Sequence, residues 1–163
     1  MDRINDYVEI MIKSLEKKSI ILDRLIKKNE LQRETIAGKS FDEIDWDRFN
    51  IIVTEKEAEI DHINEMDEGF QALYDRIGEI LKEEKEAYAQ EIKHMQKLIA
   101  VLEEKSIKIR TGEERNRTLI EQVISGRKKE IKQARTSLKA ASSYYQNMSK
   151  LLDIGPTSVD KKK

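Results

Sequence analysis

The chain has 163 residues, 39% of them charged, with six Gly, one Pro and no Cys. This is the composition of one domain of long helices; it rules out a disulfide scaffold and fits a reducing cytosol. A net charge of −1 provides no global field toward nucleic acid or a membrane surface. The hydrophobic share, 38%, is enough for seams between helices but thin for a globular core around a deep pocket. The opening "MDRINDYVEI" carries acids and lacks the basic-then-apolar pattern of a signal peptide. No apolar run approaches the roughly 20 residues of a membrane helix. The expectation is a cytoplasmic chain with no membrane insertion.

Residues 2–36 place Ile4, Val8, Met11, Leu15, Leu22, Leu25 and Ile36 on one heptad seam, with Lys18, Asn29 and Gln32 holding the same register. Ile12, Ile21 and Ile26 widen the seam, so this helix is expected to meet more than one neighbour. It should stop near "AGKS", where Gly38 suits a left-handed C-cap and Ser40 with Glu43 has capping-box spacing. Asp42 and Asp45 are further cap candidates. A second helix is predicted from about Asp45 to about Leu81. Its seam runs Phe49, Val53, Lys56, Ile60, Ile63, Asp67, Phe70, Tyr74, Ile77 and Leu81, and Trp46 stands where it could close the hairpin end.

Apolar residues vanish between Lys82 and Glu86, which predicts a turn. A third helix takes up Tyr88, Ile92, Met95, Ile99, Leu102 and Ile109, then Ile120 and Val123, with the polar stretch "RTGEERNR" between. After Gly126 the register slips by about one turn to Ile131, Ala134, Leu138, Ala141, Tyr145, Met148 and Leu152. The fold expected is all-α: an antiparallel hairpin or bundle of three long helices with coiled-coil packing, plus a C-terminal amphipathic segment. The division expected is a bundle scaffold over 1–126, a semi-independent helix over 127–152 and a disordered tail over 153–163. Whether residues 86–152 form one rod is open at this stage.

Charge is uneven. Residues 42–86 hold sixteen acids and five bases, and residues 97–163 hold eight acids and sixteen bases. Opposite signs can face one another across antiparallel segments, although solvated helix faces explain most of the pattern. Asp67 and Lys56 occupy seam positions, where an unpaired charge is costly. Lys56 falls roughly level with Glu113, and Asp67 can approach Lys18; both read as register-setting pairs rather than a reactive site.

Two Glu-x-x-His pairs, Glu59 with His62 and Glu91 with His94, resemble the inward motifs of di-iron bundles. The register opposes that reading. With Ile60 and Ile63 on the seam, His62 faces solvent, and with Ile92 and Met95 on the seam so does His94. The two histidines would also stand about 20 Å apart along the bundle. No metal and no cofactor are expected. There is no Cys nucleophile, no Gly-x-Ser-x-Gly elbow and no phosphate loop, so catalysis is not expected. The run Arg127 to Lys139 carries six bases and one acid but few aromatics, a weak footprint for nucleic acid, and none is expected as a partner.

The chain is sparing with aromatics, yet its last helical segment holds the adjacent pair Tyr144 and Tyr145. Leu138, Ala141, Tyr145, Met148 and Leu152 line one face, with Tyr144 and Leu151 beside it. Tyr supplies contact area at low entropic cost, and Met adapts to irregular partners. Two readings stand: the face packs back on its own bundle or a second copy, or it receives a foreign helix.

The runs "SLEKKSIILDRLIKKNELQRETI", "DWDRFNIIVTEKEAEIDHINEMDEGFQALYDRI", "YYQNMSKLL" and "VDKKK" resemble the FlgN-type flagellar export chaperones. Leu15, Leu22 and Leu25, the acidic Asp42 to Asp47 connection and Lys56 carry the likeness, which covers nearly the whole chain as a pattern. The resemblance implies a cytosolic helical bundle that keeps hook-associated, filament-junction proteins unpolymerised and delivers them to the export gate. It further implies that the C-terminal region holds the client, which makes Leu138, Ala141, Tyr144, Tyr145, Met148, Leu151 and Leu152 the client-facing set. The basic run Arg127 to Lys139 is more pronounced than the family pattern implies. The alternative is a structural coiled-coil tether or self-assembling spacer. A heptad seam serves hairpins and dimers equally, so monomer and homodimer both stay open.

Overall fold

The computed structural model describes residues 2–127 and 138–148. Ile131, Ala134, Leu151, Leu152, most of the basic run and the 153–163 tail lie outside the described residues. The fold is all-helical. It comprises α1 (Asp2–Ile36), a 3-10 turn (Phe41–Glu43), α2 (Trp46–Glu83) and α3 (Ala89–Ser125), and residues 138–148 are helical as well. Among the described residues there is no strand, and no helix is long and apolar enough to cross a membrane.

The heptad seam of α1 is its buried face: Val8, Met11, Leu15, Leu22, Leu25 and Ile36 are in the core, together with Lys18, Asn29 and Gln32. The helix ends where glycine permits it. Gly38 adopts φ +69°, the left-handed conformation that a side chain disfavours. The next turn is tightly fastened. The Ser40 amide and hydroxyl both donate to the Glu43 carboxylate, at 3.1 and 2.8 Å. Asp45 caps α2 by accepting from the Arg48 amide at 3.0 Å. The Trp46 indole donates to the Phe41 carbonyl at 3.0 Å and stacks between Phe41 and Phe49, closing this end of the hairpin.

α2 runs two residues beyond the expected Leu81, and α3 follows a five-residue turn of polar character. α3 does not break at "RTGEERNR". Met95, Ile99, Leu102, Ser106, Ile109, Glu113, Asn116 and Ile120 are all buried at alternating spacings of three and four. The heptad therefore passes straight through the polar stretch, with polar side chains taking seam positions. α3 ends at Ser125, where the Gly126 amide donates to the Gln122 carbonyl at 3.1 Å.

α1 is the hub. It packs along both α2 and α3, whereas α2 and α3 scarcely approach each other. Ion pairs between α1 and α2 join Lys18 to Asp67 at 2.7 Å, Arg24 to Glu59 at 3.1 Å and Lys28 to Glu55 at 3.7 Å. Numbers climb in α1 as they fall in α2, so these two helices run in opposite directions. Between α1 and α3 they climb together: Asp23 meets Lys105 at 2.9 Å and Glu30 meets Arg115 at 2.9 Å. Gly112 lets α3 come close to α1, since a Cβ there would stand 3.1 Å from Nδ2 of Asn29.

Two glycine substitutions with opposite outcomes check these local readings. Gly38→Ala meets no neighbour but must hold a positive φ, and is expected to cost about 1 kcal/mol. Gly69→Ala also meets no neighbour, lies inside α2, and is expected to stabilise by up to about 1 kcal/mol. Urea unfolding followed by circular dichroism measures both; equal signs would contradict the backbone assignment.

Candidate functional site: a buried polar cluster under residues 138–148

The sequence places a lysine on the α2 seam and a glutamate on the α3 seam at one level, and the structure joins them. Lys56 Nζ lies 2.6 Å from Oε1 of Glu113, with both side chains almost wholly out of solvent. The same Nζ donates to Oε1 of Gln32 at 2.7 Å, and that oxygen also accepts from Nδ2 of Asn116 at 3.1 Å. Asn116 Nδ2 further donates to the Asn29 carbonyl at 3.0 Å. All three long helices thus contribute to one polar layer. Burying a lysine and a glutamate costs several kcal/mol each, which close pairing and added hydrogen bonds offset.

The fourth wall comes from the C-terminal helix. Tyr144, fully buried, donates its hydroxyl to Oε1 of Glu113 at 2.6 Å. Its ring sits under the Lys56 ammonium, 4.1 Å from Nζ to the centroid. Tyr145 packs edge-on against Tyr144 with centroids 5.4 Å apart and is half-buried. Ala141 and Met148 are buried on the same side, while Leu138 is 41% exposed. The described part of the C-terminal face therefore turns inward on its own bundle. The innermost aromatic is Tyr144, which the sequence assigns to the flanking stripe, rather than Tyr145. A helix starting from Ala141 can present either residue three or four positions on, and the buried carboxylate of Glu113 selects the hydroxyl at 144. Leu151 and Leu152 lie outside the described residues.

Electrostatics follow from the burial. Desolvation lowers the Lys56 pKa to about 8, against the opposing pull of Glu113. Desolvation, reinforced by the Glu113 charge, holds the Tyr144 hydroxyl well above its ordinary range and raises Tyr145 as well. Lys56 is completely enclosed, so its amine meets no substrate in this arrangement. The cluster latches one helix onto three others. Four polar atoms of the cluster, Asn29 Oδ1, Gln32 Nε2, Glu113 Oε2 and the Tyr145 hydroxyl, are buried without a hydrogen-bond partner among the described residues, which leaves the latch polar and imperfectly satisfied.

His62 and His94 are both exposed, and among the described residues no group of three His, Cys, Asp or Glu could hold a metal ion. Lys18 and Asp67 pair as the seam positions suggest. Arg127, the first residue of the basic run, pairs with Asp42 at the hairpin end. The burial of Asn116 was the feature hidden by its polarity; the unbroken spacing from Leu102 to Ile120 is the signal that exposes it. No family model, no curated protein and no solved structure matches this chain.

The latch makes two measurable predictions. Glu113→Leu alone leaves the Lys56 charge buried without its partner and is expected to cost about 3–5 kcal/mol. The triple variant Lys56→Met, Glu113→Leu, Tyr144→Phe removes the polar set together and is expected to be neutral or more stable by about 1–4 kcal/mol. Equal loss in both would refute the coupling.

The second prediction concerns pH. From about 8 to 10.5 the unfolded chain retains a proton on Lys56 that the folded chain has released, so the wild-type stability rises relative to the triple variant. Above about 10 the unfolded chain releases the Tyr144 proton while the folded chain keeps it, and the relative stability falls again. Urea midpoints of the two proteins across pH 7 to 11.5 measure the difference; a flat difference would show that neither group is perturbed as described.

Proposed function

We propose that this chain is a non-catalytic helix-holding chaperone of the flagellar export type, binding the helical terminal segment of a hook-associated, filament-junction protein in the cytoplasm. The finer architecture in this reading is a bundle of three long helices with coiled-coil packing, whose C-terminal helix serves the client. The observation that carries it is that the groove between α2 and α3 already holds a helix, residues 138–148, through Tyr144. The sequence resemblance supplies the identity of the client class, and the buried face of Ala141, Tyr144 and Met148 supplies the mechanism.

That face is covered in the free protein, so the client is taken up by exchange. Residues 138–148 lift from the bundle and the Tyr–Met face closes on the client's helix. A latch built from polar and charged groups opens at lower cost than an apolar one, because water satisfies the groups it releases. The covered state also keeps the face from associating wrongly while no client is present. Occupying the client's self-assembling helix prevents early polymerisation, and the loaded complex is what meets the export gate.

Exchange predicts opposite effects for two variants. Glu113→Gln weakens the closed state without altering the client-binding face, so the apparent affinity for a client terminal-helix peptide should rise, by about tenfold for each 1.4 kcal/mol of weakening. Tyr145→Ala with Met148→Ala removes the face itself and should weaken binding by more than about 2 kcal/mol. Calorimetric titration of both against the wild type provides the test, with helical circular dichroism confirming the fold. If neither variant changes the titration, residues 138–148 are not the client-binding segment.

A further inference from the structure

Residues 138–148 fill one part of the groove between α2 and α3. At the other end, next to the α2–α3 turn, a half-open groove of about 630 Å³ lies between the same two helices. Met11 of α1 forms part of its floor, Phe70 and Leu81 its α2 wall, and Ile92, Met95 and Ile99 its α3 wall. Ala89 keeps the α3 wall low where it starts, and on the α2 wall the Tyr74 ring lies over Gly78, 3.3 Å from where a Cβ would stand. The lining of α3 spans 89–99, roughly 15 Å at about 1.5 Å per residue, or about three helical turns.

The rim has one sign. Among the described residues, Lys82, Lys85 and Lys93 line the groove, and no carboxylate does. Lys82 rests near Glu79 at 3.8 Å, while Lys85 and Lys93 make no ion pair among the described residues.

We infer that this groove is a second docking surface, for an amphipathic partner helix of about three turns that carries an apolar stripe flanked by acidic side chains. The inference rests on the reading of the chain as a helix-holding protein and assigns that reading a second point of grip. The partner completes, at this end, the packing that residues 138–148 provide at the other. The acidic flanks meet Lys85 and Lys93. Residues 149–163 are of the wrong sign for this rim, since they carry four lysines and two aspartates. Charge complementarity of this kind acts mainly on orientation and on-rate, while the apolar stripe supplies affinity.

The test uses the full-length protein and two synthetic 14-residue helical peptides with the same leucine stripe, one flanked by Glu and the other by Lys. Methyl NMR of Ile92, Met95 and Ile99 locates binding, and calorimetry measures it. The Glu-flanked peptide is expected to shift these methyl signals and bind about tenfold more tightly than its Lys-flanked twin at low salt. The exposed double variant Lys85→Glu, Lys93→Glu should reverse that order. The inference is overturned if neither peptide moves these signals, if both bind equally, or if the variant leaves the order unchanged. Displacement of the Glu-flanked peptide by a peptide of residues 149–163, or sedimentation as a dimer that the double variant dissociates, would assign the groove to the chain itself and overturn it too. Loss of peptide binding with intact client capture would remove this surface and leave the proposed function standing. Peptide binding without client capture would do the reverse.

Discussion

The architecture depends on an ion pair in the wrong place for an ordinary helical seam. Lys56 and Glu113 sit where apolar side chains would pack most cheaply, and each is tolerable only because the other is present. Gln32 and Asn116 complete the set from α1 and α3, so every long helix holds one side of a single polar layer. Shifting α2 or α3 by one turn would strand a charge in the core. The layer therefore specifies register more strongly than it adds stability, a use of buried polar groups well known at coiled-coil seams.

A second consequence is the character of the C-terminal helix. Tyr144 contributes a ring to the ammonium and a hydroxyl to the carboxylate, so it both shields the pair and is held by it. An apolar residue there would bury area but leave Glu113 short of a donor. Because α2 and α3 scarcely touch, α1 alone joins them along most of their length, and the gap between them is available to a fourth helix. Residues 138–148 occupy part of that gap through Tyr144.

Much of this was legible in the sequence because burial followed period. Most seam positions of α1 and α2 are buried, Lys18 and Lys56 included, and the pairs Lys18–Asp67 and Lys56–Glu113 emerged from level and spacing alone. Gly38, Asp45 and Trp46 announced the hairpin end through turn and cap chemistry that acts over a few residues. What stayed hidden depended on contacts distant in sequence. Asn116 looks like a solvent residue until Gln32 is set beside it. The choice of Tyr144 over Tyr145 as the inward ring rests on a rotation that periodicity leaves undetermined, because an oxygen on another helix decides it. The burial of Ala141 and Met148 needed the same distant information, since the bundle that covers them is built from residues far upstream.

The close passage at Gly112 carries its own consequence. One helical position back from Glu113, the bare glycine seats against Asn29 and so fixes both the height and the spin of α3 relative to α1. Sliding α3 by a single residue would lift the carboxylate about 1.5 Å and swing it about 100° away from the ammonium. This glycine is a gauge stop: the smallest side chain in the alphabet aligns the buried Lys56–Glu113 pair.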